Sequence, residues 1–161
     1  MERNSWGVSV FCDDFRSEVG GKYSLMGVYD VDMVIAGEFP LILPKFVIFV
    51  KYYEVRGAFA EDWTVNIFLP GDDADIPSIS SAIARNQNPS IPFLTKPEDS
   101  EALIGFTAPF VFGNFLVKEE GLIKVRVKCG AETTRMGTLI VRKITSEEQA
   151  TWFASQITTP S

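Results

Sequence analysis

The sequence predicts a mainly β protein: an antiparallel two-sheet β-sandwich of immunoglobulin-like type, in one domain spanning residues 1–161. Three observations carry this reading. Apolar and polar residues alternate with period two along most of the chain, the pattern of strands with one buried face. Clusters of Gly, Pro, Asn and Asp punctuate those segments at short intervals, as turns between strands require. A chain of 161 residues, 46% apolar, also has the length to bury about 70% of its unfolded surface in one core.

Taken in order, Trp6–Cys12 alternates, with Trp6, Val8, Val10 and Cys12 on one face. Gly20-Gly21 turns the chain into Lys22–Tyr29, and Asp30–Asp32 turns it again into Met33–Ala36. Pro40 and Pro44 make Phe39–Pro44 a crossing segment or an edge, because proline cannot donate to a ladder. Lys45–Val55 places Phe46, Ile48, Val50 and Tyr52 on one face, with Val47, Phe49, Lys51 and Tyr53 on the other. Both faces begin apolar, so a neighbouring loop or a partner should cover the outer one. Asp62–Leu69 points Trp63, Val65, Ile67 and Leu69 inward. Residues 70–101 form an irregular insert: an acidic turn at Pro70–Asp75, one or two helical turns over Ser78–Arg85 with Ile79 and Ile83 at i, i+4, then a proline-rich loop. Strands resume at Leu103–Phe112, interrupted by Pro109, and at Phe115–Val117. Leu122–Cys129 alternates strictly, with Ile123, Val125, Val127 and Cys129 inward, and a hairpin leads to Met136–Ile144. A C-terminal helix over residues 146–157 takes Ser146 as N-cap and Gln149 as its capping-box partner. Ala150, Phe153 and Ile157, with Trp152 beside them, form a stripe that should dock on the sandwich.

Composition narrows the chemistry. The chain has no histidine, which removes Ser-His-Asp and Cys-His nucleophiles and His-containing metal sites. No catalytic residue is assigned. Cys12 and Cys129 lack CxxC spacing and read as reduced, buried thiols. Neither GxGxxG nor GxxxxGK[ST] occurs, so no cofactor is expected. The net charge is −6, with eight acidic and two basic side chains in residues 61–101, which argues against nucleic acid as a partner there. No apolar run approaches the ~20 residues of a membrane helix, and Met1–Ser9 is polar and unlike a secretion signal. A soluble, cytoplasmic protein is expected.

Three acidic groups are the weak metal candidates: Asp13 and Asp14, Asp30 and Asp32, and Asp72, Asp73 and Asp75. Calcium would need six to eight oxygens from converging loops; capped or solvated turns are the plainer account, with Asp13 or Asp14 capping a short helical segment at Phe15–Val19. The same carboxylates could serve a paired-carboxylate hydrolase. Lys124, Arg126 and Lys128, extended by Arg142, form a basic row that could meet phosphates or an acidic protein; charges guarding an edge explain it more simply. Tyr52, Tyr53, Phe59 and Trp63 could line a groove, though aromatic side chains more often fill a core. Phe106, Phe110, Phe112 and Phe115 carry more apolar surface than one strand face can hide and suggest a protomer interface.

The stretch Phe11–Tyr29, with Cys12-Asp13-Asp14, Arg16, Glu18, Gly20-Gly21 and Gly27-Val28-Tyr29, followed by Leu43-Pro44-Lys45-Phe46, resembles the N-terminal signature of an uncharacterised family of small bacterial and phage proteins. The resemblance implies a bacterial or prophage origin and supplies no catalytic residues. Physically the signature reads as a clasp in which Arg16 and Lys22 meet Asp13, Asp14 and Glu18. The function expected is a non-enzymatic binding or assembly module, self-associating or bound to a protein partner. A ligand- or calcium-binding sensory sandwich and a carboxylate-dependent hydrolase are the alternatives; any small ligand is left open.

Overall fold

The computed structural model describes residues 5–55, 61–85 and 103–157. Among the described residues, nine strands and one helix follow in chain order: β1 (Ser5–Ser17), β2 (Tyr23–Val28), β3 (Asp32–Ile35), β4 (Leu41–Val55), β5 (Trp63–Phe68), β6 (Ile79–Ile83), β7 (Leu103–Val117), β8 (Gly121–Cys129), β9 (Glu132–Lys143) and α1 (Ser146–Ile157). They build a four-stranded sheet, β2-β1-β4-β7, and a five-stranded sheet, β3-β9-β8-β5-β6. The mainly β, two-sheet architecture expected from alternation is what the chain adopts. One pairing departs from the antiparallel expectation: β3 runs parallel to β9, Asp32 opposite Ile140 through Ile35 opposite Lys143. The period-two pattern is the same for either direction, so the sequence carried no sign of it.

The core lies between the sheets. β4 contributes Phe46, Ile48, Val50 and Tyr52, all essentially inaccessible, against Trp63, Val65 and Ile67 of β5 and Ile123, Val125 and Val127 of β8. Val47 and Phe49, on the opposite side of β4, are buried as well. Their cover is the β1–β2 hairpin. Cys12 is the last residue of β1 to pair with β4, opposite Val47, so a straight β1 would carry Phe15 away from Phe49. Instead the rings of Phe15 and Tyr23 lie 5.7 and 4.4 Å from that of Phe49, and the Lys51 ammonium sits 5.1 Å over Tyr23. The hairpin therefore bends back across the outer face, as the doubly apolar β4 demanded. Cys12 is sealed beneath it.

Several expectations are corrected. The apolar row Trp6, Val8, Val10 faces outward, with Trp6 and Val8 40% and 48% exposed; the inner row is Gly7, Ser9 and Phe11. A Cβ on Gly7 would strike Met136 and the Lys51 carbonyl, so β1 presents its small side chains where β9 approaches. Ile79–Ile83 forms the edge strand β6 in place of the expected helical turns, because Ile79 and Ile83 share a face at i, i+4 in a strand too. Residues 86–101 of the predicted insert lie outside the described residues; its turn at 70–75 is present. Phe15–Ser17 continues β1, so Asp13 and Asp14 cap no helix. Pro44 falls in the part of β4 beyond its pairing with β1, where proline costs no bond on that side.

The helix forms where expected, but its cap is one residue earlier. Thr145 Oγ1 accepts from the Glu148 N–H at 3.2 Å and Glu148 Oε2 accepts from the Thr145 N–H at 2.9 Å, a reciprocal capping box. The described aromatic residues of its stripe do not dock: Trp152 and Phe153 are 56% and 62% exposed. The helix is joined to the sheet through Glu148 and Arg142.

Candidate functional site

The structure gives most of the predicted acidic residues internal work. Asp13 lies over Gly27, which has a φ of +64° and where a Cβ would strike the Asp13 side chain, and accepts from the Tyr29 hydroxyl at 2.6 Å. Asp14 accepts from the Phe15 N–H at 2.8 Å and pairs with Lys45; the Lys45 bond holds its pKa below the usual carboxylate range. Arg16 and Lys22, expected in this clasp, are replaced by Tyr29 and Lys45 as its fixed partners, while Glu18 accepts from Ser24 at 2.9 Å. Asp32 takes a 2.6 Å bond from Arg142. Asp72 ties its own loop through the Leu69 and Ser78 N–H groups and the Ser78 hydroxyl; burial works to raise its pKa, and these bonds outweigh it to leave it lowered. Asp30, Asp73 and Asp75 join none of these clusters, and among the described residues no three carboxylates or thiols gather within reach of one metal ion.

The phenylalanine patch also goes inward. β7 pairs with β4 so that Phe106, Phe110 and Phe112 stand opposite Tyr52, Ile48 and Phe46. Asn114 adopts φ +50°, which turns the following residues over and puts Phe115 into the core as well. Phe106 is fully buried and Phe115 nearly so, while Phe110 and Phe112 pack partly buried against them. The surface that seemed too apolar for one face is thus absorbed by the sandwich, which corrects its reading as an interface. Tyr52 and Trp63 are core residues, Tyr53 lies on the outer face beside Trp6 with ring centroids 6.2 Å apart, and Phe59 lies outside the described residues.

Sequence reasoning missed a buried polar network at one end of the sandwich. Glu54 is fully buried. It accepts from the Tyr52 hydroxyl and the Trp63 indole, each at 2.9 Å, and from Arg85 at 2.6 Å. Arg85 also donates to the Glu61 carbonyl at 2.5 Å and to the Cys129 sulfur at 3.3 Å, and lies 4.7 Å over the Trp63 ring. Burial pushes the Cys129 thiol up, with Arg85 opposing, so the sulfur is held as a thiol. Parity was the available signal: Glu54 follows Phe46, Ile48, Val50 and Tyr52 in the inward row. The Arg85 backbone N–H also donates to the Asp62 carboxylate, so the network anchors residues 61–62 and 85 to β4.

The four-stranded sheet leaves a different surface open. β7 is its edge among the described residues, and its fifteen residues include no charged side chain. On the outer face at that edge, Ile42 stands opposite Leu116, and these with Val111 are 59%, 43% and 51% exposed. The other described edges, β2, β3 and β6, run only six, four and five residues. Long, uncharged edges are templates for pairing with another strand, which natural sheets blunt with charge, proline or kinks. Pro109 and the turn at Asn114 interrupt β7 but do not charge it.

Comparison of the chain with protein-family models, with curated proteins and with solved structures gives no match. Geometry alone must carry the functional reading. Among the described residues no helix is long and apolar enough to cross a membrane.

Proposed function

We propose that this protein is a non-enzymatic assembly module whose working surface is the β7 edge, and that its partner there is a second copy of itself. The carrying observation is the uncharged fifteen-residue edge strand with Ile42, Val111 and Leu116 exposed beside it. Two such edges can pair antiparallel about a twofold axis, each supplying the N–H and C=O groups the other lacks, so one surface serves both partners. The apolar residues alongside would be buried in the same step. The commitment of Asp13, Asp14, Asp32 and Asp72 to internal bonds supports binding over carboxylate catalysis. The immunoglobulin-like description belongs to this proposal too; repeated crossing of the chain between two stacked sheets supports it.

Size-exclusion chromatography with light scattering tests the reading. The expected result is the mass of two chains, falling toward one on dilution. Val111→Lys places a charge on the edge without entering the core and should weaken association about tenfold or more, on the order of 1.4 kcal/mol. A single-chain mass at every concentration would refute self-association.

A further inference from the structure

The solvent side of the five-stranded sheet carries a cluster of cations at its centre. Lys124, Arg126 and Lys128 alternate along β8 with the buried Ile123, Val125 and Val127, and Arg135 of β9 lies directly opposite Arg126. Edge protection was the simplest reason to expect this row. The topology removes it, because β8 lies between β9 and β5.

Three further features distinguish the cluster from an ordinary solvated face. Arg126 and Arg135 set like charges across adjacent strands, which costs stability. Among the described residues none of the four cations enters an ion pair; Arg126 reaches the Ala74 carbonyl at 3.4 Å and lies 4.8 Å over the Phe68 ring. Met136 is an extra residue on β9 between the pairs Val125–Gly137 and Arg126–Arg135, and such bulges re-aim the side chains beside them. A shallow hollow results, lined by Lys124, Arg126, Arg135, Gly137 and Thr138. Neutral hydrogen-bonding groups lie beside two of the cations: Asn66 next to Arg126 on β5, and Thr64 and Thr133 on either side of Lys128.

We propose that this face binds an extended acidic segment of a partner protein, with its carboxylates seated on Arg126 and Arg135. Alternate residues of β8 are spaced about 6.6 Å apart, the repeat of alternate residues in any extended peptide. Carboxylates at i and i+2 of a segment lying along β8 therefore meet successive cations. The paired guanidinium groups offer planar forks that match carboxylates in bidentate fashion. Two observations favour a short peptide over a polynucleotide. The chain's net charge of −6 repels a long polyanion beyond the patch. Among the described residues, the aromatic ring on this face, Phe68, is buried beneath Arg126 and offers no platform for a base.

Fluorescence anisotropy with a labelled peptide of alternating glutamate and serine tests the proposal. The expected result is saturable binding that weakens as salt rises, and is reduced about tenfold or more in Arg126→Gln/Arg135→Gln, as loss of charged hydrogen bonds predicts. The thermal midpoint of that variant should hold or rise, since a like-charge pair is relieved. Should it fail to fold, Lys124→Gln/Lys128→Gln gives a second readout with the same direction. No saturable binding at low salt, or unchanged binding by folded variants, overturns the assignment. Tighter binding of a single-stranded DNA oligonucleotide of equal charge overturns the peptide in favour of nucleic acid.

Discussion

Glu54 shows how much one side chain can organise at the end of a sandwich. A buried carboxylate is tolerated only when its charge and lone pairs are met, and here Tyr52, Trp63 and Arg85 meet them. Arg85→Ala should strand that charge and cost about 3–5 kcal/mol, read as a lower midpoint in urea denaturation. Replacing both partners, as Glu54→Leu/Arg85→Leu, should recover much of the loss, because an apolar pair has no charge to desolvate. A single variant as stable as the parent would show that the pair does not anchor residues 61–62 and 85.

At the level of the element, α1 is joined to the sandwich through a charged junction. Arg142 bridges Asp32 and Glu148, and Glu148 closes the capping box with Thr145. The bonds from Arg142, and then those from Thr145, pull the Glu148 pKa down to about 2 from its usual 4.5. A depressed carboxylate stabilises the folded state above its unfolded pKa and loses that contribution as pH falls through the folded value. The junction's contribution to stability should therefore be full above pH 4.5, shrink below it and be lost as pH falls through about 2, where the folded carboxylate is half protonated. An NMR titration of the Glu148 carboxyl and Arg142 guanidinium signals checks this; a midpoint at the ordinary glutamate pKa would mean the pair is absent in solution. The β1–β2 hairpin follows the same logic without a helix. Its bend is held by Asp13 against Gly27 and Tyr29 and by Asp14 against Lys45, and the fold-back buries Phe49.

Across the whole molecule, the two sheets expose opposite kinds of surface. The four-stranded sheet ends in an uncharged edge with apolar neighbours, while the five-stranded sheet turns a cationic centre to solvent. Association through β7 would leave the β8 face free, so assembly and acidic-segment binding can be tested apart. What keeps the sheets at their spacing is partly the smallness of Gly7 and Ser9 where β9 approaches. Gly7→Ala should force Met136 or the Lys51 backbone aside and lower stability by about 1–3 kcal/mol, the usual range for overpacking. Thermal unfolding measures it, and an unshifted midpoint would mean the sheets are further apart at this point.

Period-two alternation is a property of the local chain, and it located most of the strands from residues alone. The inward rows of β4, β5 and β8 were legible for that reason, as was the need for cover over Val47 and Phe49. Alternation does not say which neighbour a strand pairs with or which of two apolar faces turns inward. Those depend on residues far away in sequence: Met136 selects Gly7 for the inner row of β1, Ile140 and Val141 take β3 in parallel, and Tyr52 and Phe46 draw the phenylalanines of β7 into the core. Sequence by itself determined most of the strands and the chemistry that histidine's absence removes. Only the tertiary structure decided that β7 is an edge and β8 a centre, because adjacency in a sheet is set by long-range packing and leaves no local trace.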